Sequence, residues 1–243
     1  MKSYDVFLDY YDDIVRGINS PLDEEVEFLH EVIQKYAPTT KEILETACGT
    51  GVVAKEFLKY WYDIVWLDIS ENMLKRAEEN ISKEKLILAD MTDFDLKREF
   101  DAILCNYNSI CHLLTWQEWK KFFSMTHKHL KKDGIFIFDI NTLFEFENIT
   151  REFAQFYNFW EDSVCLEMFK KDWIYEWLIK IFKKSDDGRY DLIQEVVKEN
   201  SFPIDMIKKE LKNQWFQILE VLDFHSWMVH SESERVYFIA KKK

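Results

Sequence analysis

The stretch ILETACGTGVVAKEFLKYW, residues 43–61, decides the fold. Ile43 to Ala47 is of strand length, Gly49 and Gly51 follow, falling within three residues of each other, and Val52 to Trp61 carries apolar positions at helical spacing. The unit is therefore strand, glycine turn, helix. With only 5 glycines and 3 prolines in 243 residues, each marks a place where an element must turn or stop.

Working outward, the same unit recurs. Ile64 to Leu67 predicts a second strand ending at Asp68, and Ser70 caps a helix that runs to Asn80. Lys85 to Ala89 predicts a third strand ending at Asp90, and Phe100 to Asn106 a fourth. A helix over Trp116 to Leu130 and a strand over Gly134 to Ile140 follow, while Leu22 to Tyr36 reads as a helix ahead of the first strand. Such alternation predicts an α/β, doubly wound, mostly parallel sheet. The pattern then changes. Trp173 to Lys184 and Arg189 to Glu199, joined around Asp186-Asp187-Gly188, read as an antiparallel hairpin; a helix after Pro203 and a strand pair, Phe216 to Phe224 with Arg235 to Ala240, bring the large sheet to seven strands. One core, residues 1–150 and 200–243, is expected to carry an antiparallel β insertion, 151–199, that caps the acceptor.

The 32 Lys and Arg against 45 Asp and Glu give a net charge of -13, which repels polyanions, so no nucleic-acid partner is expected. Cys48, Cys105, Cys111 and Cys165 show neither a CxxC pair nor zinc spacing, so reduced thiols and no metal are expected. The opening MKSYDVFLDYYDD is unlike a secretory signal, and no apolar run reaches the roughly 18 residues of a membrane span. A cytoplasmic protein without a membrane partner, monomeric or homodimeric, is the expectation.

A parallel sheet binds ligands beyond the carboxyl ends of its strands. Here those ends carry Glu45, the turn, Asp68, Asp90 and Asn106. Gly49 and Gly51 let a ligand approach the backbone, although Ala47, Gly49, Gly51 and Ala54 supply only part of a dinucleotide fingerprint. Asp68 stands where a carboxylate can take both hydroxyls of a ribose, which also fits NAD. Asp90 can read an adenine amino group, and Met91 offers the ring a soft surface. Glu45 is unfavourable beside two phosphates but not beside a sulfonium and an ammonium, so the charge balance favours S-adenosylmethionine.

ETACGTG, LDISENML, LADM, FDAILCNYNSICHLL and LKKDGIFIFDINT, in this order, resemble the class I S-adenosylmethionine-dependent methyltransferases over residues 37–142. The opening YYDDIV, the aromatic insertion and the closing SERVYFIAKKK are similar to a bacterial small-molecule branch that includes sugar-amine and glycine-type enzymes. The resemblance implies a Rossmann-like methyltransferase fold. It implies that Glu45, Ala47, Gly49 and Gly51 surround the methionine part of the cofactor, Asp68 the ribose, and Asp90 with Met91 the adenine. Tyr11, Ile69, Met73 and Asn106 join the cofactor's surroundings. Ala47 stands where the family's turn has its first glycine.

Methyl transfer is an in-line displacement, and good alignment supplies roughly 7 to 11 kcal/mol. A base is needed only when the acceptor arrives protonated, and His112 after the fourth strand is the candidate; a His that packs the next helix is the competing reading. Tyr107, Asn108 and Ser109 share its loop. Asn106 lacks the Pro-Pro-Tyr that accompanies it in nucleic-acid and peptide-amide chemistries. Tyr4, Phe7, Tyr10 and Tyr11 recur at helical spacing as a lid or as core packing. Phe156, Tyr157, Phe159, Trp160, Trp173, Tyr175 and Trp177 are candidate walls of an acceptor pocket, a dimer face or a small core. The expected function is methylation of a small-molecule acceptor at N or O. An NAD-linked oxidoreductase and a non-catalytic cofactor-binding module are the alternatives.

Overall fold

A computed structural model describes residues 6–16, 22–151, 154–224 and 226–243, with the backbone alone at 15 and 16; Tyr4 lies outside them. In chain order the elements are α1 (Leu8–Tyr11, continued by a π-helical turn, Asp12–Arg16), α2 (Leu22–Tyr36), β1 (Glu42–Thr46), α3 (Val52–Phe57), β2 (Asp63–Asp68), α4 (Glu71–Ala77), β3 (Leu86–Leu88), β4 (Phe100–Cys105) and α5 (Trp116–His129). Then follow β5 (Leu130–Asn141), α6 (Leu143–Ile149), β6 (Gln155–Phe159), β7 (Asp162–Lys171), β8 (Ile174–Lys184), β9 (Tyr190–Glu199), α7 (Ile204–Asn213), β10 (Phe216–Asp223) and β11 (Arg235–Lys242).

Seven strands form one sheet in the order β10-β11-β5-β4-β1-β2-β3. β1 to β5 are parallel, and β11 runs antiparallel to both β5 and β10. The order reverses between β1 and β4, which opens a crevice at their carboxyl ends. Strands buried on both faces need nearly continuous apolar runs, and β4, FDAILC, shows why: Ile103 packs into one face's core and Ala102 and Leu104 into the other's. Helix α2 lays Val26, Leu29, Val32 and Ile33 on the second face. Capping fixes the starts of the helices near the crevice. Ser70 Oγ accepts from Met73 N, and Thr115 and Glu118 close a reciprocal capping box on α5.

Several boundaries differ from the sequence reading. The helix expected to reach Trp61 ends at Phe57 and tightens into a 3-10 turn, and Trp61 takes a left-handed φ of 59° that terminates it. The helix expected to reach Asn80 ends at Ala77. The insertion is a four-stranded antiparallel meander, β6 to β9, rather than a hairpin. Its inner face packs Val164, Leu166, Ile179, Ile181 and Val197 against Phe7, Tyr10, Tyr11 and Ile14 around α1, so the N-terminal segment and the insertion share one core.

A buried ionic cluster ties the rest together. Arg235 Nε donates to Asp139 Oδ2 at 2.7 Å, its Nη atoms donate to Glu25, and Tyr237 Oη also donates to Glu25. Asp139 Oδ2 in turn accepts from Asn108 N, anchoring the loop after β4. The four cysteines are buried and form no disulfide, and burial pushes the Cys105 and Cys111 thiols far up. No helix among the described residues is long and apolar enough to cross a membrane.

Candidate active site

The crevice holds a cleft of about 370 Å³. Tyr11 of α1, Ala47 and Gly49 of the turn, Asp68, Ile69 and Met73 around β2 and α4, Asp90 and Met91 after β3, and His112 after β4 all line it. Glu45, Gly51 and Asn106 lie outside this lining. Glu45 and Asn106 are buried at the ends of β1 and β4, with Asn106 Nδ2 donating to Glu45 Oε1 at 3.4 Å. Gly51 faces α4 instead. Its φ is +74°, and a Cβ there would meet Ala77 Cβ at 3.1 Å, so this glycine serves a close helix approach.

The turn is shaped from both sides. Cys48 N donates to Leu67 O and Gly51 N to Cys48 O, while Ala47 and Gly49 both adopt positive φ, 55° and 58°. For Ala47 that conformation costs roughly 1 to 2 kcal/mol relative to glycine. Thr50 Oγ1 donates to Asp12 Oδ1 at 2.6 Å, which ties the segment after Tyr11 to the turn. Tyr10 Oη donates to Asp162 Oδ2 at 2.7 Å, which ties the same segment to the insertion.

Asp68 is 7% exposed, and each carboxylate oxygen accepts one backbone N–H at 2.8 Å, from Gly49 and from Ser70. Burial pushes its carboxyl above the usual range, while the amides of Ser70 and Gly49, the nearby His112 and the Ile69 amide pull it down. Two oxygens offer about four lone-pair sites, so beyond these amides Asp68 keeps capacity to accept from a ribose. Asp90 Oδ1 accepts from Thr92 N and Oγ1 on the exposed rim, and Met91 is buried beside it. This donor set fits S-adenosylmethionine: acceptors for a ribose, apolar surface for an adenine, and no Lys or Arg among the described lining residues to pair with a diphosphate. Among the described residues no group of three His, Cys, Asp or Glu is placed to hold a metal ion.

His112 is half-buried, and the inserted sheet holds it. Its Nδ1 lies 3.4 Å from Lys198 O and its Nε2 lies 3.7 Å from Glu199 Oε1. Trp177 Nε1 donates to Glu199 Oε2 at 2.8 Å. Asn200 N donates to Cys111 O and Asn200 Nδ2 to Leu114 O, so the end of β9 clasps the whole loop. Sequence reading missed Glu199 and Trp177 as neighbours of His112, because contacts across so many residues leave no local pattern.

The insertion's aromatic residues divide. Phe156, Trp160 and Trp173 are exposed and do not line the cleft: Phe156 lies on the outer face of β6, where alternate side chains point away from the core, and Trp160 and Trp173 sit in the turns that flank β7. Tyr157 and Phe159 pack with the N-terminal segment, Phe159 lying 5.2 Å from the Tyr10 ring. Tyr175 stacks on Phe146 at 4.6 Å.

Residues 43–134 match the methyltransferase domain family. The chain is 27% identical to a putative methyltransferase of Geobacillus sp. (strain WCH70), across 99% of this chain and 100% of that one. It is 29% identical to the dTDP-3-amino-3,4,6-trideoxy-alpha-D-glucopyranose N,N-dimethyltransferase of Streptomyces venezuelae, across 53% of this chain and 54% of that protein. The crystal structure of an S-adenosylmethionine-dependent methyltransferase from Clostridium acetobutylicum superposes with a TM-score of 0.86 at 24% identity, covering 99% of each chain.

Proposed function

We propose that this chain, which belongs to the class I S-adenosylmethionine-dependent methyltransferases, methylates the nitrogen of a small amine, with His112 as base and the inserted sheet as the acceptor's cap. The observation that carries the reading is the position of His112: it lines the same cleft as Asp68 and the glycine turn while contacting β9 of the insertion. The relative from Streptomyces venezuelae, whose name gives an amine as its methyl acceptor, supports nitrogen over oxygen.

When bound, S-adenosylmethionine supplies an electrophilic methyl group on a sulfonium. The chain's residues do the rest. Asp68 accepts from the ribose hydroxyls, Met91 packs the adenine, and Ala47 and Gly49 let the methionine part approach the backbone. Tyr11 and its helix exclude water. His112 takes a proton from the acceptor's ammonium, freeing the lone pair that attacks in line. Fixed alignment of that lone pair contributes roughly 7 to 11 kcal/mol.

The test is turnover across paired amine and alcohol panels, followed by mass spectrometry of the methylated product. Amines are expected to react and alcohols to remain unmodified; alcohol-only turnover would contradict the reading. His112→Gln is expected to lower kcat on the order of 10²-fold with cofactor affinity intact. Equal turnover in that variant would remove His112 from the chemistry.

A further inference from the structure

The wall of the cleft that carries Tyr11 is anchored by a residue almost two hundred positions away in the chain. Val6 N and Phe7 N donate to Glu195 Oε2 of β9 at 3.2 and 3.1 Å, and Tyr10 Oη donates to Asp162 Oδ2 of β7 at 2.7 Å. Two residues on, Asp12 Oδ1 accepts from Thr50 Oγ1 in the glycine turn, and Thr50 O accepts from Asn80 Nδ2. Tyr11 lies between the ties to the insertion and the tie to the turn, and it lines the cleft. Phe7, at the start of the four-residue α1, makes no side-chain cap. The first amides of a helix lack partners within it, and here Glu195 supplies one from another element.

Glu195 is an uncommon residue for its place. Ile193, Glu195 and Val197 alternate onto the inner face of β9, where Val197 belongs to the core shared with Phe7 and Tyr11 and Ile193 packs against it. Glu195 is 4% exposed, and its Oε1 has no hydrogen-bond partner among the described residues. A buried carboxyl with one oxygen unsatisfied costs stability that an apolar side chain would not. What it supplies is an acceptor for two backbone amides of another segment.

We propose that Glu195 is a positioning residue for Tyr11: it pins the start of α1 to β9, which holds the Tyr11 wall against the bound cofactor and slows the cofactor's release. This rests on the reading of the cleft as the S-adenosylmethionine site. The Asp162 tie fixes the same segment two strands away, and the Thr50 tie joins it to the turn, so one short segment bridges the acceptor's cap and the cofactor's turn. Loss of the Glu195 acceptor frees the amino end of that bridge and leaves the other two ties in place. The turn, Asp68 and Met91 are untouched, so the change falls on the exit rate rather than on entry.

Amide hydrogen exchange and the release of S-adenosylhomocysteine, both measured on the full chain, test this without turnover. In Glu195→Ala the amides of residues 6–12 are expected to exchange about 10-fold faster, while those of β1, β4 and β5 keep their wild-type protection. S-adenosylhomocysteine is expected to dissociate about 10-fold faster with its association rate unchanged. Glu195→Gln, whose side-chain oxygen can still accept from Val6 N and Phe7 N, is expected to restore slow exchange and slow release. Glu195→Met fills the same core space without an acceptor, is expected to behave like the alanine variant, and carries the comparison if that variant does not fold. Wild-type exchange in a folded variant that lacks the acceptor would overturn the anchor, and fast exchange with unchanged release would overturn its link to Tyr11. Failure of the cofactor reading looks different: the wild type then binds no S-adenosylhomocysteine while the exchange difference persists, which overturns the link to release and supports the anchor.

Discussion

Asp68 and Asp139 are both buried aspartates near the carboxyl ends of strands in one sheet, and burial pushes both carboxyl groups up. They differ in what compensates them. Asp139 meets the Arg235 guanidinium at 2.7 Å inside a cluster that includes Glu25 and Tyr237. Asp68 is held by backbone amides and faces the cleft. Asp139 has its charge matched by a guanidinium inside the core and serves the scaffold, although its buried Oδ1 has no hydrogen-bond partner. Asp68, held by backbone amides, lines the cleft, where a ligand that brings its own donors can reach it.

The largest effect that distinguishes these roles is expected at Arg235. Arg235→Met leaves Glu25 and Asp139 buried without their cation and should cost about 3 to 5 kcal/mol, read by chemical denaturation. A loss within experimental error would show that the cluster is not what stabilises this edge. Asp68→Ala should instead weaken S-adenosylhomocysteine binding by about 1.5 to 3 kcal/mol, roughly 10- to 150-fold, because two ribose hydroxyls lose their acceptor. Unchanged affinity would remove Asp68 from the ribose site.

A smaller effect follows from the titration of Asp68. The ionised carboxylate is the better acceptor, and its folded pKa lies above the usual aspartate value, so affinity should fall with acidification sooner than an ordinary aspartate would allow. The sign for stability is opposite: an acid whose folded pKa is raised favours the ligand-free fold at low pH and loses that contribution as pH rises through the raised value. Titration calorimetry across this window should show the affinity slope in the wild type and a flatter one in Asp68→Ala. Equal slopes would assign the dependence to another group. The smallest effect is expected at the turn. Ala47→Gly relieves left-handed strain of roughly 1 to 2 kcal/mol but gives back about 0.4 to 1 kcal/mol through the freer unfolded chain, for a net gain between about zero and about 1.6 kcal/mol, read as a rise in Tm. Clear destabilisation would mean that the Ala47 methyl makes a contact that outweighs its backbone strain.

The same contrast explains what the sequence disclosed. Asp68 was legible because its partners are local: Gly49 and Ser70 lie in adjacent segments, and the strand, turn and cap each follow short-range rules. The alternation of strands and helices made the large sheet legible for the same reason. Asp139, Arg235 and Glu25 were silent, since nothing in FDI, RVYFIA or DEEVEF announces a cluster assembled across the whole chain. His112 was half-legible. Its place after β4 was readable, whereas Glu199, Trp177 and the register that brings Lys198 O to its ring depend on a meander of which only two strands stood out. Composition was silent on Phe156, Trp160 and Trp173, because aromatic content says neither which face of a strand a ring takes nor which rings fall in turns.

Isothermal titration of the wild-type protein with S-adenosylhomocysteine and, separately, with NAD tests the cleft's identity most directly. One-to-one binding of S-adenosylhomocysteine with no heat from NAD is the expected result. Binding of NAD with none of S-adenosylhomocysteine would contradict the assignment of Asp68, Asp90 and the glycine turn to a methyl donor.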